Sequence, residues 1–442
     1  MRFIHARVFT NAKEGPLLLE DAALRVEGTK ITEIGKTEDL AKNAPADEEV
    51  IDLKGKLLLP GLLNCHTHIY SAFARGMGVS RPTRNFMEIL ENLWWALDKK
   101  LTAEDAKLCA YFTMIESIKN GVTCLIDHHA APNGTLGSLD QIAEAALELG
   151  IRADLCYELS DRDGDQARDL GLEENIRFIR RCQEQPNDLL RAHFGLHASF
   201  TLSDESLEKA ARAVQELGAG VHVHCAEGLD DETLCLRQHG CRVLERLERF
   251  GLLNEKSLVA HLCHASAREL DILKASGATA LHNPGSNMNN AVGRTPLTEL
   301  LKRGIRTGLG TDAYTHDMFD SLKTAKILHP HDLADPTVGF AESLQLLFGN
   351  NPEIVSDFFG QSIGRIEVGA EADLAIFDYV AYTPINDASI KGHLLFGLQG
   401  RQCTDTMVAG RFIYRDRRIV GVDEAQVAAL CQKRAAEIWP LM

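Results

Sequence analysis

The 442-residue sequence has no long apolar run and little that would direct it to a membrane. No window approaches about 18 uninterrupted apolar residues, the length expected of a membrane-spanning helix. The opening residues, MRFIHARVFTNAKEG, alternate like a β-strand and lack the basic and apolar regions of a signal peptide. We therefore expect neither a membrane span nor secretion.

Positive charge is also scarce, with 47 Lys+Arg against 63 Asp+Glu and a net charge of −16. A nucleic acid backbone is negatively charged and attracts positive charge, so we expect no nucleic-acid partner.

The sequence has 11 cysteines, an odd number, and they are scattered along the chain. Cys124, Cys156 and Cys225 lie inside apolar runs. This pattern favours buried thiols in a reducing cytoplasm over a disulfide framework.

The sequence does have a regular alternation of apolar runs and amphipathic helices over residues 60–311. Capping boxes predict helix starts at Ser138 and Ser266, and Gly150 and Gly277 predict helix ends. A closed (β/α)8 barrel requires eight parallel strands. Eight strand-like runs are present: LPGLLNCH, VTCLID, IRADLCY, LRAHFGLH, GVHVHCAE, SLVAHL, ATALHN and RTGLGTD.

Further strand-like segments lie on both sides of this region. We predict an α/β fold with a TIM barrel over residues 59–360. Residues 1–58 and 361–420 are predicted to build a small β-sandwich domain from the two ends of the chain, and residues 421–442 a C-terminal helix.

Metal-ligand side chains and acids cluster at the predicted strand ends, where barrel enzymes place their catalytic groups. A lone histidine is usually a structural residue, but several histidines and acids at one barrel mouth favour a metal site. Three histidines and a carboxylate suit Zn²⁺ or another first-row divalent ion with an open position for water. The residues at these strand ends are His66, His68, His224, Glu227, His261 and Asp312.

The motifs LPGLLNCHTH, HCAE, AHLCH, HNPGSNMNN, GLGTD and GRIEVGAEADLAIFD resemble those of the amidohydrolase superfamily, in its branch of guanine, cytosine and triazine aminohydrolases. ARGM, NLWWALDK and DHHA make the chain most similar to the SsnA-type aminohydrolases, a group associated with purine catabolism. The resemblance implies that His261 bonds the metal-activated water or a substrate oxygen, and that Glu227 protonates the attacked ring. It implies metal ligation by His66, His68, His224 and Asp312.

The predicted fourth strand, LRAHFGLH, lacks the lysine or acid that bridges two ions in other members of the superfamily. We therefore expect one divalent ion per chain, with Zn²⁺ as the first choice and Fe²⁺ as the alternative. Glu158, just past the third strand, could change this count. Its alternative role is a salt-bridged or substrate-facing carboxylate.

The segment over residues 70–100 occupies the position of an active-site lid. Trp94 and Trp95 could stack on a flat heterocycle, although tryptophans at helical spacing are more often core residues. Candidates for contacting the substrate, each with a structural role as the alternative, are Arg75, Trp95, His129, His197, Ser286 and Asn287.

The sequence predicts a metal-dependent aminohydrolase that deaminates a purine-like or pteridine-like heterocycle. A cyclic-amide hydrolase that opens a purine-derived ring is the alternative, because it would use the same residues. A chlorotriazine chlorohydrolase and a non-catalytic metal-binding barrel are less favoured, and the acid Glu227 argues against the latter. We expect a small-molecule substrate. The resemblance also implies a homodimer, which is common among proteins of this family.

Overall fold

The computed structural model describes residues 1–43, 45 and 47–442. Its strands, numbered in chain order, are β1 (Arg2–Phe9), β2 (Leu18–Glu27), β3 (Lys30–Lys36), β4 (Val50–Asp52), β5 (Leu57–Pro60), β6 (Leu62–Thr67), β7 (Val122–Asp127), β8 (Arg152–Leu155), β9 (Leu190–Ala192), β10 (Phe194–Ala198), β11 (Val221–Cys225), β12 (Leu258–His261), β13 (Thr279–His282), β14 (Thr307–Leu309), β15 (Leu374–Phe377), β16 (Cys403–Val408), β17 (Arg411–Arg415) and β18 (Arg418–Ile419).

The helices are α1 (Thr37–Leu40), α2 (Phe86–Ile89), α3 (Trp95–Asp98), α4 (Ala103–Lys119), α5 (Ser138–Leu149), α6 (Asp165–Glu184), α7 (Asp204–Leu217), α8 (Leu229–His239), α9 (Val243–Arg249), α10 (Ala267–Ser276), α11 (Pro284–Asn289), α12 (Leu297–Lys302), α13 (Met318–Leu333), α14 (Phe340–Leu344), α15 (Asn351–Phe359), α16 (Ile390–Gly392) and α17 (Glu424–Ile438). Short 3₁₀ or π-helical turns include Ile69–Ala74 and Leu90–Trp94. Among the described residues, no helix is both long and apolar enough to cross a bilayer.

Strands from both ends of the chain form one nine-stranded sheet. Its central path runs β18, β17, β16, β15, β5, β1, β2 and β3, and β4 pairs with β1. The two ends meet where β15 runs antiparallel to β5, with Ile376 opposite Leu58. The structure gives this region as a single sheet, and a sandwich domain with bounds at residues 58 and 361 stays a prediction.

The strands between these ends form two parallel sheets, which confirms the α/β class. One contains β6 to β9 and the other β10 to β14, each in chain order. Single parallel bridges connect the sheet edges, pairing Thr67 with Asp312 and Leu159 with Leu196. Complete closure into a (β/α)8 barrel stays a prediction, but these bridges bring the carboxyl ends of β6 and β14 together.

Of the two predicted capping boxes, the structure contains one, and both predicted glycines end their helices. At α10, Ser266 and Glu269 form the predicted capping box, and Gly277 ends the helix in the left-handed conformation. The predicted capping box at Ser138 is wrong, because α5 begins after Gly137, and the Glu174 carboxylate accepts from the backbone nitrogens of Gly137 and Leu139 at this end of the helix. The Ser138 hydroxyl instead donates to the carbonyl of Thr135 at 2.8 Å.

The predicted fourth strand is interrupted at His193, which separates β9 from β10. Its buried ring lies 2.8 Å from the Asp154 carboxylate and 3.0 Å from the Lys256 carbonyl. These contacts occupy both ring nitrogens. His193 therefore has a structural role among the strands. His197, further along β10, is the histidine that lies at the strand ends.

Candidate metal centre and active site

Four histidines and an aspartate meet at the carboxyl ends of the parallel strands. His66 lies in β6 and His68 directly follows it, so alternation places both rings on one side, with centroids 5.0 Å apart. His224 lies in β11, His261 ends β12, and Asp312 follows β14. None is more than 7% exposed. The structure thus brings together the residues that the sequence placed at separate strand ends.

The inner atoms of this group have the spacing of ligands around one ion. Nε2 of His68 lies 3.2 Å from Nε2 of His224 and 3.2 Å from Oδ1 of Asp312. Nε2 of His66 is buried without a hydrogen-bond partner among the described residues. Ligand atoms about 2.0–2.2 Å from a zinc ion stand roughly 3–3.5 Å apart. These donors therefore fit a divalent ion with nitrogen and oxygen ligands.

The outer nitrogens of two of these histidines are already bonded. Nδ1 of His66 lies 2.8 Å from Nε2 of His222, and Nδ1 of His68 lies 2.7 Å from the carbonyl oxygen of His128. Such outer partners orient metal-binding imidazoles and fix which nitrogen carries the hydrogen. The inner nitrogens of His66 and His68 are left free to bind metal.

Electrostatics at the centre also favour a cation. Burial and the neighbouring imidazoles lower the pKa of His66 and of His224 well below the usual value, which keeps both rings neutral as ligands must be. Burial acts in the same direction on His68, but the carboxylates of Asp312 and Glu158 raise its pKa to about 10. The two buried carboxylates therefore favour positive charge beside His68.

Backbone strain concentrates at the same strand ends. Ala226, His261 and Asp312 have φ angles of 49°, 76° and 56°, in the left-handed region that side chains other than glycine rarely adopt. Such conformations persist where the surrounding structure imposes them, and they cluster at functional sites. Here they turn the chain at the point where His261 and Asp312 must face the metal centre.

The hydrogen-bond network behind His261 determines its tautomer. The Thr295 hydroxyl donates to the His261 carbonyl at 2.7 Å, so its oxygen accepts from the Asn287 amide nitrogen at 3.2 Å. The Asn287 amide oxygen then accepts from Nδ1 of His261 at 2.8 Å. In the neutral ring Nε2 of His261 then carries a lone pair, and it lies 3.5 Å from Glu227 and 3.6 Å from Asp312.

Glu227 lies beside the candidate metal ligands and is not one of them. It follows β11, lines the cavity over the centre and is 9% exposed. Burial raises the pKa of this carboxyl group, although His261 opposes the effect. A carboxyl group in this position can hold a proton close to a substrate and release it.

A cavity of about 300 Å³ opens above the metal centre. The lid segment contributes Phe86, Leu90 and Trp94 to its wall. Four of the six residues predicted to contact substrate line this cavity, while His129 and Asn287 do not. The four are Arg75, Trp95, His197 and Ser286.

Arg75 and Asn287 already have protein partners. The Arg75 guanidinium is half exposed, bonds Glu116 at 3.1 Å and lies 4.6 Å from the centre of the Phe112 ring. Asn287 is fully buried in the network behind His261. His129 is fully buried as well, and neither ring nitrogen has a hydrogen-bond partner among the described residues.

Sequence reasoning passed over several residues of this region. Tyr314 and His316, in the loop after Asp312, line the cavity. His222 carries a signal that could have been used, because it is two residues from His224 on one strand and must point the same way. His128 precedes the chosen His129, and neighbouring residues of an extended segment face opposite sides.

Buried imidazoles and carboxylates at the ends of parallel strands are typical of metal-dependent hydrolases. The sequence model of the amidohydrolase family matches residues 57–413. The 5'-deoxyadenosine deaminase of Methanosarcina mazei is 31% identical over 434 residues, 96% of this chain and 94% of that protein. The 5-methylthioadenosine/S-adenosylhomocysteine deaminase of Thermococcus onnurineus is 31% identical over 404 residues, 90% and 91% of the two chains.

A solved structure extends the similarity to three dimensions. The adenosine deaminase from Xanthomonas campestris, solved with bound zinc, superposes with a TM-score of 0.86 at 25% identity, covering 99% of this chain and 98% of that one. The chain therefore belongs to the amidohydrolase family and is a hydrolase that acts on carbon–nitrogen bonds other than peptide bonds.

Proposed function

We propose that this protein removes the exocyclic amino group of a purine-like heterocycle, with adenosine-like nucleosides as the first candidates. The observation that carries the proposal is the position of Glu227, a buried carboxyl group 3.5 Å from His261 at the edge of the metal-ligand set. A protein that only stored metal would not need such an acid. The deaminase names of both relatives, which refer to adenosine derivatives, support the choice of ring.

The roles follow from where each group lies. A divalent ion, zinc as the first choice and iron(II) as the alternative, would supply the Lewis acidity that makes water reactive at neutral pH. Glu227 would donate a proton to the ring nitrogen beside the attacked carbon, so that negative charge does not build up there. Asp312 and His261 would accept the two protons of the water, of which one would return to Glu227 and the other would pass to the amino group. The amino group then leaves as ammonia, and the water oxygen stays on the ring. The ion would be held by His66, His68, His224 and Asp312.

The tautomer of His261 favours deamination over opening of a ring amide. A neutral ring whose Nδ1 donates to Asn287 has no hydrogen on Nε2, and so cannot donate to a carbonyl oxygen. It can accept a hydrogen bond from water. Ring opening remains the alternative outcome of the experiment below because it would use the same acid and the same metal ligands.

The test is a substrate panel in which ammonia and ring-opened products are measured separately. It should contain adenosine, 5'-deoxyadenosine, 5'-methylthioadenosine, guanine, an aminopteridine and dihydropurines. We expect stoichiometric ammonia with at least one aminopurine and an intact product ring. Ring-opened product without prior release of the exocyclic amine would overturn the proposal and establish the cyclic-amide alternative.

A further inference from the structure

Arg162, in the segment after β8, contacts the lid segment from outside the cavity. Its guanidinium carbon lies 5.2 Å from the centre of the Trp95 ring, and its Nη2 donates to Oδ2 of Asp98. The Arg162 side chain is 8% exposed and does not line the cavity, whereas Trp95 does. Arg162 can therefore influence a bound substrate only through the lid.

One guanidinium contacts two side chains of the same short helix. Trp95 and Asp98 are the first and last residues of α3, and residues three apart lie on the same face of a helix. A planar guanidinium can stack on an aromatic ring and bond a carboxylate at the same time, which the compact charge of a lysine does less well. The two contacts together fix α3 against the segment after β8.

The segment that carries Arg162 is itself bonded to the strand ends. The backbone nitrogen of His197 donates to the Leu159 carbonyl at 3.0 Å, and the backbone nitrogen of Asp161 donates to the Thr201 carbonyl at 2.9 Å. Arg162 thus extends from a segment held by the strand ends to a lid that supplies part of the cavity wall.

The pair of Arg162 and Asp98 is buried with incomplete hydrogen bonding. Nε and Nη1 of Arg162 and Oδ1 of Asp98 have no hydrogen-bond partner among the described residues, although Nε lies 3.5 Å from Oδ2 of Asp163. Burial raises the pKa of Asp98 to about 6, because Arg162 offsets only part of the cost of desolvation. A buried pair of this kind adds little stability compared with well-packed apolar residues. Its geometry therefore favours a role in positioning.

We propose that Arg162 is a positioning residue that sets the orientation of Trp95 in the cavity wall and thereby the affinity for a flat heterocycle. The indole also lies 5.9 Å from the ring of His197 and 6.4 Å from that of Phe200, which line the same cavity. Arg162 adds a charged contact to these aromatic ones. The link to a heterocyclic substrate rests on the proposed function, whereas the position of the indole does not.

Fluorescence tests the positioning without any substrate, so its failure is distinct from failure of the deaminase proposal. The chain has three tryptophans, so Trp94→Phe together with Trp439→Phe leaves Trp95 as the only one. In this full-length background Arg162→Gln should raise the acrylamide quenching constant of the indole, because the ring is no longer held. An unchanged quenching constant would overturn the proposal.

Steady-state kinetics with adenosine and 5'-methylthioadenosine test the effect on the substrate. Arg162→Gln should raise KM roughly 2- to 30-fold, the range expected for loss of a cation–π contact, with kcat and metal content unchanged. In a Trp95→Ala background the same change should raise KM no further, because Arg162 acts through the indole. An equal rise in KM with and without the indole would overturn the proposal.

Lys99→Gln is the matched control. Lys99 lies next to Asp98 and bonds Asp163 at 2.8 Å, a more exposed ion pair between the same two segments, so its loss should leave quenching and KM unchanged. Changes as large as those of Arg162→Gln would assign the effect to the segments as a whole and overturn the role of Arg162. If Arg162→Gln does not fold, Arg162→Lys takes its place. It keeps the charge toward Asp98 but loses the planar group, and both values should change in the same direction.

Discussion

The strand ends and the lid segment both border the active-site cavity, but they are built differently. At the strand ends the catalytic side chains are buried and held by outer partners, as His66 is by His222 and His261 by Asn287. In residues 70–100 a π-helical turn over Leu90–Trp94 leads to Trp95, whose side chain is half-buried and whose indole nitrogen has no hydrogen-bond partner among the described residues. We therefore expect the strand ends to determine the reaction and the lid to influence the choice of substrate.

The largest expected effect lies in the metal-ligand set. Asp312→Asn should reduce kcat/KM by on the order of 10³-fold or more and reduce metal content, because on the proposed function it would remove a ligand charge from a metal that contributes several kcal/mol. Activity assays and metal analysis would be made together. Asp320→Asn, an exposed position on α13, is the control and should change neither value. If Asp312→Asn is fully active and keeps its normal metal content, the proposed role of the strand ends in the reaction is contradicted.

Glu227→Gln should separate proton transfer from metal binding within the strand-end region. We expect kcat to fall on the order of 10²–10⁴-fold while zinc content stays unchanged, as removal of a general acid does. Asp230→Asn, exposed on α8, serves as a nearby control with normal kcat. Normal turnover by Glu227→Gln would remove this acid from the mechanism, and lost zinc would make it a ligand.

The strand-end residues could be predicted because two simple regularities locate them. Alternation along a strand puts His66 and His68 on one side, and parallel strands bring their carboxyl ends to one edge. The same alternation could have identified His222. His129 does not line the cavity, whereas the ring of its neighbour His128 lies 4.5 Å from that of His224. The alternation therefore predicts reliably which way a side chain points within a strand, but not in the residues just after the strand ends.

The roles of Asn287 and Glu158 could not be predicted from the sequence. Asn287 lies on the short helix α11, where position after a strand does not reveal whether the side chain faces the cavity or the network behind His261. Glu158 follows β8, and its neighbours His128 and His197 come from other strands. Their arrangement depends on three-dimensional contacts and on the directions of individual hydrogen bonds.

Asn287→Leu tests whether this residue belongs with the strand ends or with the substrate wall. Loss of the amide acceptor frees the His261 tautomer, so kcat should fall about 10- to 100-fold, as for other outer-partner changes. Asn287→Asp keeps an oxygen toward Nδ1 of His261 and should lose less. Ring ¹⁵N shifts of labelled protein would report the tautomer directly. A change in KM alone, with the tautomer intact, would assign Asn287 to substrate contact.

Trp95→Phe should have the smallest effect, because it alters the lid and leaves the strand ends intact. Trp95 lines the cavity, with its ring 5.9 Å from that of His197. Replacing the indole by a smaller ring weakens aromatic contact by about 0.5–1.5 kcal/mol, which corresponds to roughly a 2- to 10-fold rise in KM. Zinc content and kcat should stay the same.

Trp439→Phe is the matched control for Trp95→Phe. Its indole nitrogen donates to the Phe73 carbonyl at 2.8 Å, and it does not line the cavity over the metal centre, so KM should not change. If Trp95→Phe lowers thermal stability and leaves KM unchanged, Trp95 is a core residue. The lid would then stabilise the fold and would not select the substrate. Substrate selection would depend on the strand-end loops that carry His197, Ser286 and Tyr314.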